Sequence, residues 1–181
     1  VKLDNYETYG ANEGGERGND TNVPAMIVAA VNAIAKDYNF AKYDWDGDGA
    51  VEQVYVIYAG RGEATGGAAN TIWPHKYYLG KRVTHNNVII NTYACSNELD
   101  TETTLAGIGT ICHELTHCLG LPDFYDIDYE KNGLNLGMGT WDLMSGGNHN
   151  DNGFCPPNYT SYEKMFVGWK DPIELSEKTE V

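Results

Sequence analysis

The chain is 181 residues long, 41% hydrophobic, with a formal net charge of −14. That size and apolar content predict one domain with a real core, built as two lobes (about 1–120 and 121–181) around a cleft. Such acidity argues against nucleic acid and anionic membranes as partners, and no apolar run approaches the ~18 residues of a membrane span.

No signal peptide is visible, and a start at Val1 without Met leads to the expectation of a mature or trimmed piece of a longer precursor. No internal repeat stands out. Residues 1–20 are polar, with Gly10, Gly14, Gly15 and Gly18, and predict an irregular lead-in. Thr21 or Asn22 then caps a helix with Pro24 in its first turn. Ile27, Val28, Val31, Ile34, Ala35 and Tyr38 give that scaffold helix one apolar face.

Asp44, Asp46 and Asp48 follow in a D-x-D-x-D-G run closed by Gly49, the first half of an EF-hand-type calcium loop. Alternate carboxylates converge on one hard cation, with the Ala50 carbonyl at the seventh position and Glu52 at the ninth. The twelfth position, where an EF-hand has Glu, is Tyr55, so the last ligands come from elsewhere. Residues 51–59 predict a buried strand, and 60–70 a glycine-rich loop without a phosphate-cradle pattern. Residues 83–93 predict a second strand, placed before the next helix as a substrate-aligning edge strand. His75 and His85 stand alone and are structural histidines in this reading.

The chemistry concentrates in His113–Asp123, which spells H-E-x-x-H-x-x-G-x-x-D. On a helix, residues four apart lie on one face, so His113 and His117 can aim ring nitrogens at one zinc ion. Glu114 stands beside the metal, where it can take a proton from water. Leu105, Ile108, Cys112, Leu115 and Leu119 recur at spacings of three and four as the core face of this helix, and Asp100, Thr101 and Thr103 offer N-caps. Gly120 and Pro122 end the helix. The chain then presents Asp123 as third ligand, with Asp126 and Asp128 as further candidates in the same loop. Three protein ligands leave the fourth position to water, the mark of a catalytic zinc.

Beyond Asp123 little regular structure is expected. The segment 141–147 places Met144 in a tight turn as a soft apolar floor under the metal. Pro156 and Pro157 precede a last helix over 159–167, ended by Gly168 and Trp169. Of the four cysteines, Cys112 and Cys118 are about 9 Å apart along one helix and cannot pair. Cys95 with Cys155 is possible, and free thiols are the alternative.

These motifs together resemble the metzincin clan of zinc endopeptidases, and more fully the immune inhibitor A family of secreted bacterial metalloproteases. The resemblance runs over about 40–169: the acidic run before a strand, Gly120 to Asp126 after the zinc helix, Trp141 to Gly147, and Gly168–Trp169. It implies an α+β zincin domain: a twisted sheet with a backing helix, an active-site helix, and an irregular lower lobe with a Met-turn at Met144 and a C-terminal helix. It also implies His113, His117 and Asp123 as zinc ligands, Glu114 as base, peptide-bond hydrolysis, and a secreted or envelope location. Astacin-like members carry a Tyr two residues after the Met that helps stabilise the oxyanion; here that position is Gly146. Tyr159, Tyr162 and His149 are the candidates for that task.

The expectation is therefore a monomeric zinc-dependent endopeptidase with structural calcium, acting on proteins or peptides, with further domains or a pro-segment in the full-length protein. A zinc hydrolase of a non-peptide amide would use the same water. A calcium-dependent binding or adhesion module with an inert metal helix is the rival from another class; an intact Glu114 speaks against it.

Overall fold

The computed structural model describes residues 1–5, 7–12, 19–128, 131 and 133–174; the predicted glycine-rich lead-in at Gly14, Gly15 and Gly18 lies outside them. The described elements are α1 (Glu7–Gly10), α2 (Val23–Ile34), β1 (Val54–Arg61), β2 (His75–His85), β3 (Val88–Leu99), α3 (Ile108–Cys118) and α4 (Ser161–Phe166), with short 3-10 turns between them. This is a small α+β fold with a three-stranded mixed sheet ordered β1-β3-β2.

Helix α2 forms where the apolar period predicts it. Val23, Met26, Ile27 and Val31 are buried and pack with Phe40, Tyr58, Ile90 and Tyr93 as the main core. Asn22 is the N-cap residue, but its side chain makes no capping bond. Tyr38 leaves the stripe and is exposed, because the helix ends at Ile34 and the Asp37 and Tyr38 amides turn back onto the Ile34 carbonyl.

The strands correct the sequence reading twice. Residues 75–99 make a hairpin rather than a single strand over 83–93, with β2 antiparallel to β3. Asn86 and Asn87 turn the corner with φ of 51° and 66°. Asparagine tolerates that left-handed region, and two such residues give the primed turn that matches strand twist. β3 is consequently the central strand, parallel to β1 on its other side, and β2 is the edge strand. β1 itself begins at Val54 rather than Val51; Val51 only donates its N–H to Ile89 across an isolated bridge.

Helix α3 lies on β3 but presents a different face from the one its leucines suggest. Leu105, Ile108 and Leu119 are exposed, whereas Gly109, His113, Glu114 and Thr116 are buried. The helix starts at Ile108 with Gly107 as N-cap residue, so Leu105 precedes it; Asp100, Thr101 and Thr103 form a separate turn upstream. Close approach selects the face: a Cβ on Gly109 would lie 1.9 Å from the Asn148 carbonyl oxygen, and one on Gly107 2.1 Å from the Gly153 carbonyl carbon. Glycine at these positions lets the backbones touch.

A second, smaller core cluster holds Leu121, Leu143 and Met144, with Cys112, Phe124, Tyr159 and Val167 against it. α4 closes that side, and a capping box starts it: Thr160 accepts from the Glu163 amide, and Glu163 accepts from the Thr160 amide. All four thiols are free, with Cys95 buried and Cys155 exposed, so the possible Cys95–Cys155 bond is not formed. Among the described residues no helix is long and apolar enough to cross a membrane.

Candidate metal centre

Three side chains from α3 and the loop after it converge at one point. One ligand atom each from His113, His117 and Asp123 lie within 4.8 Å of one another. Asp123 Oδ1 is 3.1 Å from His113 Nε2 and 3.4 Å from His117 Nε2. Helical spacing brings the imidazoles together, with ring centroids 4.7 Å apart. Gly120 then turns the chain at φ 94°, and its amide bonds the His117 carbonyl as the helix stops. The short loop that follows carries Asp123 back under the rings.

Each imidazole is oriented from behind. His113 Nδ1–H donates to the Leu143 carbonyl at 3.0 Å, and His117 Nδ1–H to the Leu121 carbonyl at 2.8 Å. In that tautomer both Nε2 atoms keep a lone pair toward Asp123. Asp123 Oδ1 is itself buried and has no hydrogen-bond donor. Three lone-pair atoms this close repel unless a cation or protons lie among them. The same demand appears in the acid–base balance. Burial opposes charge on both histidines, yet Asp123, the Leu143 and Leu121 carbonyls and Glu114 together outweigh it and raise their affinity for a proton. Burial likewise opposes charge on Asp123, yet His113 and His117 hold its carboxyl well below the usual range. A donor set of two imidazoles and one carboxylate, short of one positive charge, fits zinc.

Glu114 lies beside this cluster, 7% exposed. Burial pushes its carboxyl up to about 7, while His113 and His117 pull it back; the backbone N–H of Lys76, on edge strand β2, bonds to it. That contact comes from the edge strand of the sheet.

Met144 is fully buried in its turn, and its carbonyl accepts the Phe124 amide at 2.8 Å. A cavity of about 440 Å³ opens next to His113, bordered by Leu136, Gly146, Asn148 and His149. Of the three oxyanion candidates, His149 alone borders it. Burial keeps His149 neutral, which leaves one ring N–H free to donate. The Tyr159 hydroxyl is occupied by Thr116 at 2.6 Å, with its ring against Trp169. Tyr162 stacks between Phe124 and Phe166 and is exposed. Asp126 accepts the amides of Asp128 and Asn135, which shapes the loop beyond Asp123.

The other predicted cluster is separate. Carboxylate oxygens of Asp44, Asp46 and Asp48 lie within 4.8 Å of one another. Each already accepts loop amides: Asp44 from Gly47 and Gly49, Asp46 from Asp48, Asp48 from Ala50. Glu52 folds back onto the Trp45 and Asp46 amides. His75 and His85 are engaged elsewhere, His75 with the Trp73 carbonyl and Tyr93 hydroxyl, His85 with Asn32.

Residues 3–170 match the immune inhibitor A peptidase M6 catalytic domain. The chain belongs to that family. Among curated relatives of this M6 domain is the pre-pro-metalloprotease PrtV of Vibrio cholerae serotype O1, 29% identical over 189 residues that cover 90% of this chain and 20% of the relative. Immune inhibitor A of Bacillus thuringiensis subsp. alesti is 27% identical over 191 residues, covering 89% of this chain and 27% of the relative. The M6 domain described here thus spans only a fifth to about a quarter of those proteins' lengths.

Sequence reasoning missed two contributors to the site. Lys76 acts through its backbone amide, which no side-chain pattern reveals; the Asn86–Asn87 pair was the available signal for the hairpin that brings β2 there. Asn148 borders the cavity with a buried Oδ1 that lacks a partner, and nothing in its local sequence points to that.

Proposed function

We propose that this chain is the catalytic domain of a zinc-dependent endopeptidase. The observation that carries the reading is the meeting of His113 Nε2, His117 Nε2 and Asp123 Oδ1 beside an enclosed Glu114 carboxyl. Zinc, when bound, supplies a Lewis acid that polarises the scissile carbonyl and acidifies water. Glu114 takes the proton of the attacking water and hands it to the leaving amine nitrogen, so that it ends the cycle as it began. His113 and His117 stay fixed because their Nδ1 protons are committed to the Leu143 and Leu121 carbonyls. His149 donates a hydrogen bond to the oxygen on which charge develops, the task a Tyr serves where Gly146 stands here. The edge of β2 aligns the extended substrate by strand addition.

The remaining parts of the reading follow the resemblance and, for calcium, the D-x-D-x-D-G run. The sheet side (about 1–120) and the segment 121–181 act as two lobes of one domain, with Met144 as the Met-turn. Asp44, Asp46 and Asp48, with Ala50 and Glu52 near them, hold a structural calcium. The protein works outside the cell or at its envelope, as a monomer, within a longer chain that holds other domains or a pro-segment.

The test is digestion of an unfolded protein with and without a chelator, with products read by mass spectrometry. Internal peptide-bond cleavage that stops with chelator and returns with zinc supports the reading. Release of acetate or ammonia from small amides without any peptide cleavage overturns it in favour of a non-peptide amide hydrolase.

A further inference from the structure

We propose that Asn148 determines specificity: the cavity beside His113 takes the side chain of a substrate residue next to the scissile bond, and the Asn148 carboxamide on its wall selects tyrosine there. This deepens the endopeptidase reading and rests on it. The cavity, of about 440 Å³, has two kinds of wall. Leu134 and Leu136, with Gly139 and Gly146, give it an apolar stretch, and both leucines are exposed. A ring laid against them takes apolar surface out of water. Asn148 and His149 give the cavity its polar stretch.

Asn148 is only 7% exposed, and its Oδ1 is buried without a hydrogen-bond partner. An unpaired carboxamide shut away from water is costly, and a ligand that brings a partner relieves that cost. The backbone holds the residue in place. It sits in the 3-10 turn Gly146–His149, with its carbonyl oxygen pressed on α3, 1.9 Å from where a Cβ on Gly109 would stand. The His149 ring N–H has its own task at the oxyanion, so the polar wall is left to Asn148.

Tyrosine answers such a cavity best, with an apolar ring and one polar tip. A half-turn about χ2 exchanges Oδ1 and Nδ2, and a phenol hydroxyl, which both donates and accepts, suits either. Phenylalanine covers the leucines equally well but leaves the carboxamide unpaired. A lysine or arginine tip would give up its hydration for little, because Asp126, the acid on the cavity's border, already accepts the Asp128 and Asn135 amides. Asn148 also borders a second, smaller cavity of about 120 Å³, with Thr65, Asn97, Asp100 and Thr110. A carboxamide served from that side would gain nothing from a substrate hydroxyl, and this is the rival the test decides against or for.

Matched peptide pairs carry tyrosine or phenylalanine just before, or just after, one cleavable bond. At one of those positions wild type should cleave the tyrosine member with a kcat/KM about 10- to 100-fold higher. Asn148→Leu, of similar size, should abolish or reverse the preference, and Asn148→Ala should abolish it. Each preference is a ratio within one preparation, so partial loss of folded protein cancels. Equal rates for wild type at both positions overturn the proposal, and so does a tyrosine preference that survives in both variants. Calorimetry of the same peptides with Glu114→Ala separates the two readings. Tighter binding of the tyrosine member with no cleavage by wild type upholds the role of Asn148 and sinks the endopeptidase reading. Cleavage by wild type without any tyrosine preference in rate or binding does the reverse, and neither binding nor cleavage of either peptide overturns both.

Discussion

The two acidic clusters of this chain solve the same electrostatic problem in opposite ways. The Asp44–Asp48 loop is local and exposed, and its carboxylates are already served by the loop's own amides. It can fold before any ion arrives. The cluster of His113, His117 and Asp123 is assembled from a helix and a later loop, is largely enclosed, and leaves Asp123 Oδ1 without a donor. In the proposed function it is completed by a cation, and self-satisfaction separates a site that tunes stability from one built around its ion.

The largest effect expected on this contrast is functional. Glu114→Ala should lower peptide hydrolysis by about 10²–10⁴-fold or more while zinc content stays stoichiometric. Steady-state rates beside metal analysis check it, and a variant with near-normal turnover would remove Glu114 from the mechanism. Next comes the ligand set. Asp123→Asn should weaken zinc by about 10²-fold, since it removes the charge the two imidazoles face. Asp126→Asn should keep zinc, because its carboxylate serves loop amides that asparagine can still partly accept. If competition with a chromogenic chelator ranks them the other way, the loop register is wrong.

A packing test sharpens the same point. Gly109→Ala puts a methyl where the Asn148 backbone now lies, so α3 must lift. A loss of about 3 kcal/mol in denaturant unfolding is expected, with lower zinc affinity. An unchanged unfolding midpoint would mean that α3 is not docked by its glycine face. The smallest effect belongs to the self-served loop. Calcium titrated into a calcium-free sample should raise the melting temperature by a few degrees, as any ligand of the folded state does. Asp46→Asn should shrink that shift and leave zinc-dependent activity intact; a calcium requirement for activity at full stability would erase the distinction between the two sites.

Much of this site was legible because its information is local. His113, Glu114, His117, Gly120 and Asp123 lie within one helix and its exit, where spacing dictates direction. The acidic loop was legible for the same reason. The face of α3 was not. Leu105, Ile108 and Leu119 imitate a core stripe, but the helix is docked through Gly107 and Gly109, and only the distant Asn148–Gly153 segment reveals why. The hairpin was obscured because Asn86–Asn87 is a weaker turn signal than Asn-Gly.

One short tether has a kinetic corollary. His117 is fastened through Nδ1 to the Leu121 carbonyl, only two residues ahead of Asp123. The proposed second and third ligands are thus joined by a short hydrogen-bonded ring, preorganised as a chelate. In the proposed function, freeing His117 from the ion requires the Nδ1 bond to Leu121 and the last turn of α3 to open with it. Metal exchange should then keep pace with amide hydrogen exchange at Leu119 and Gly120, whose N–H groups close that turn.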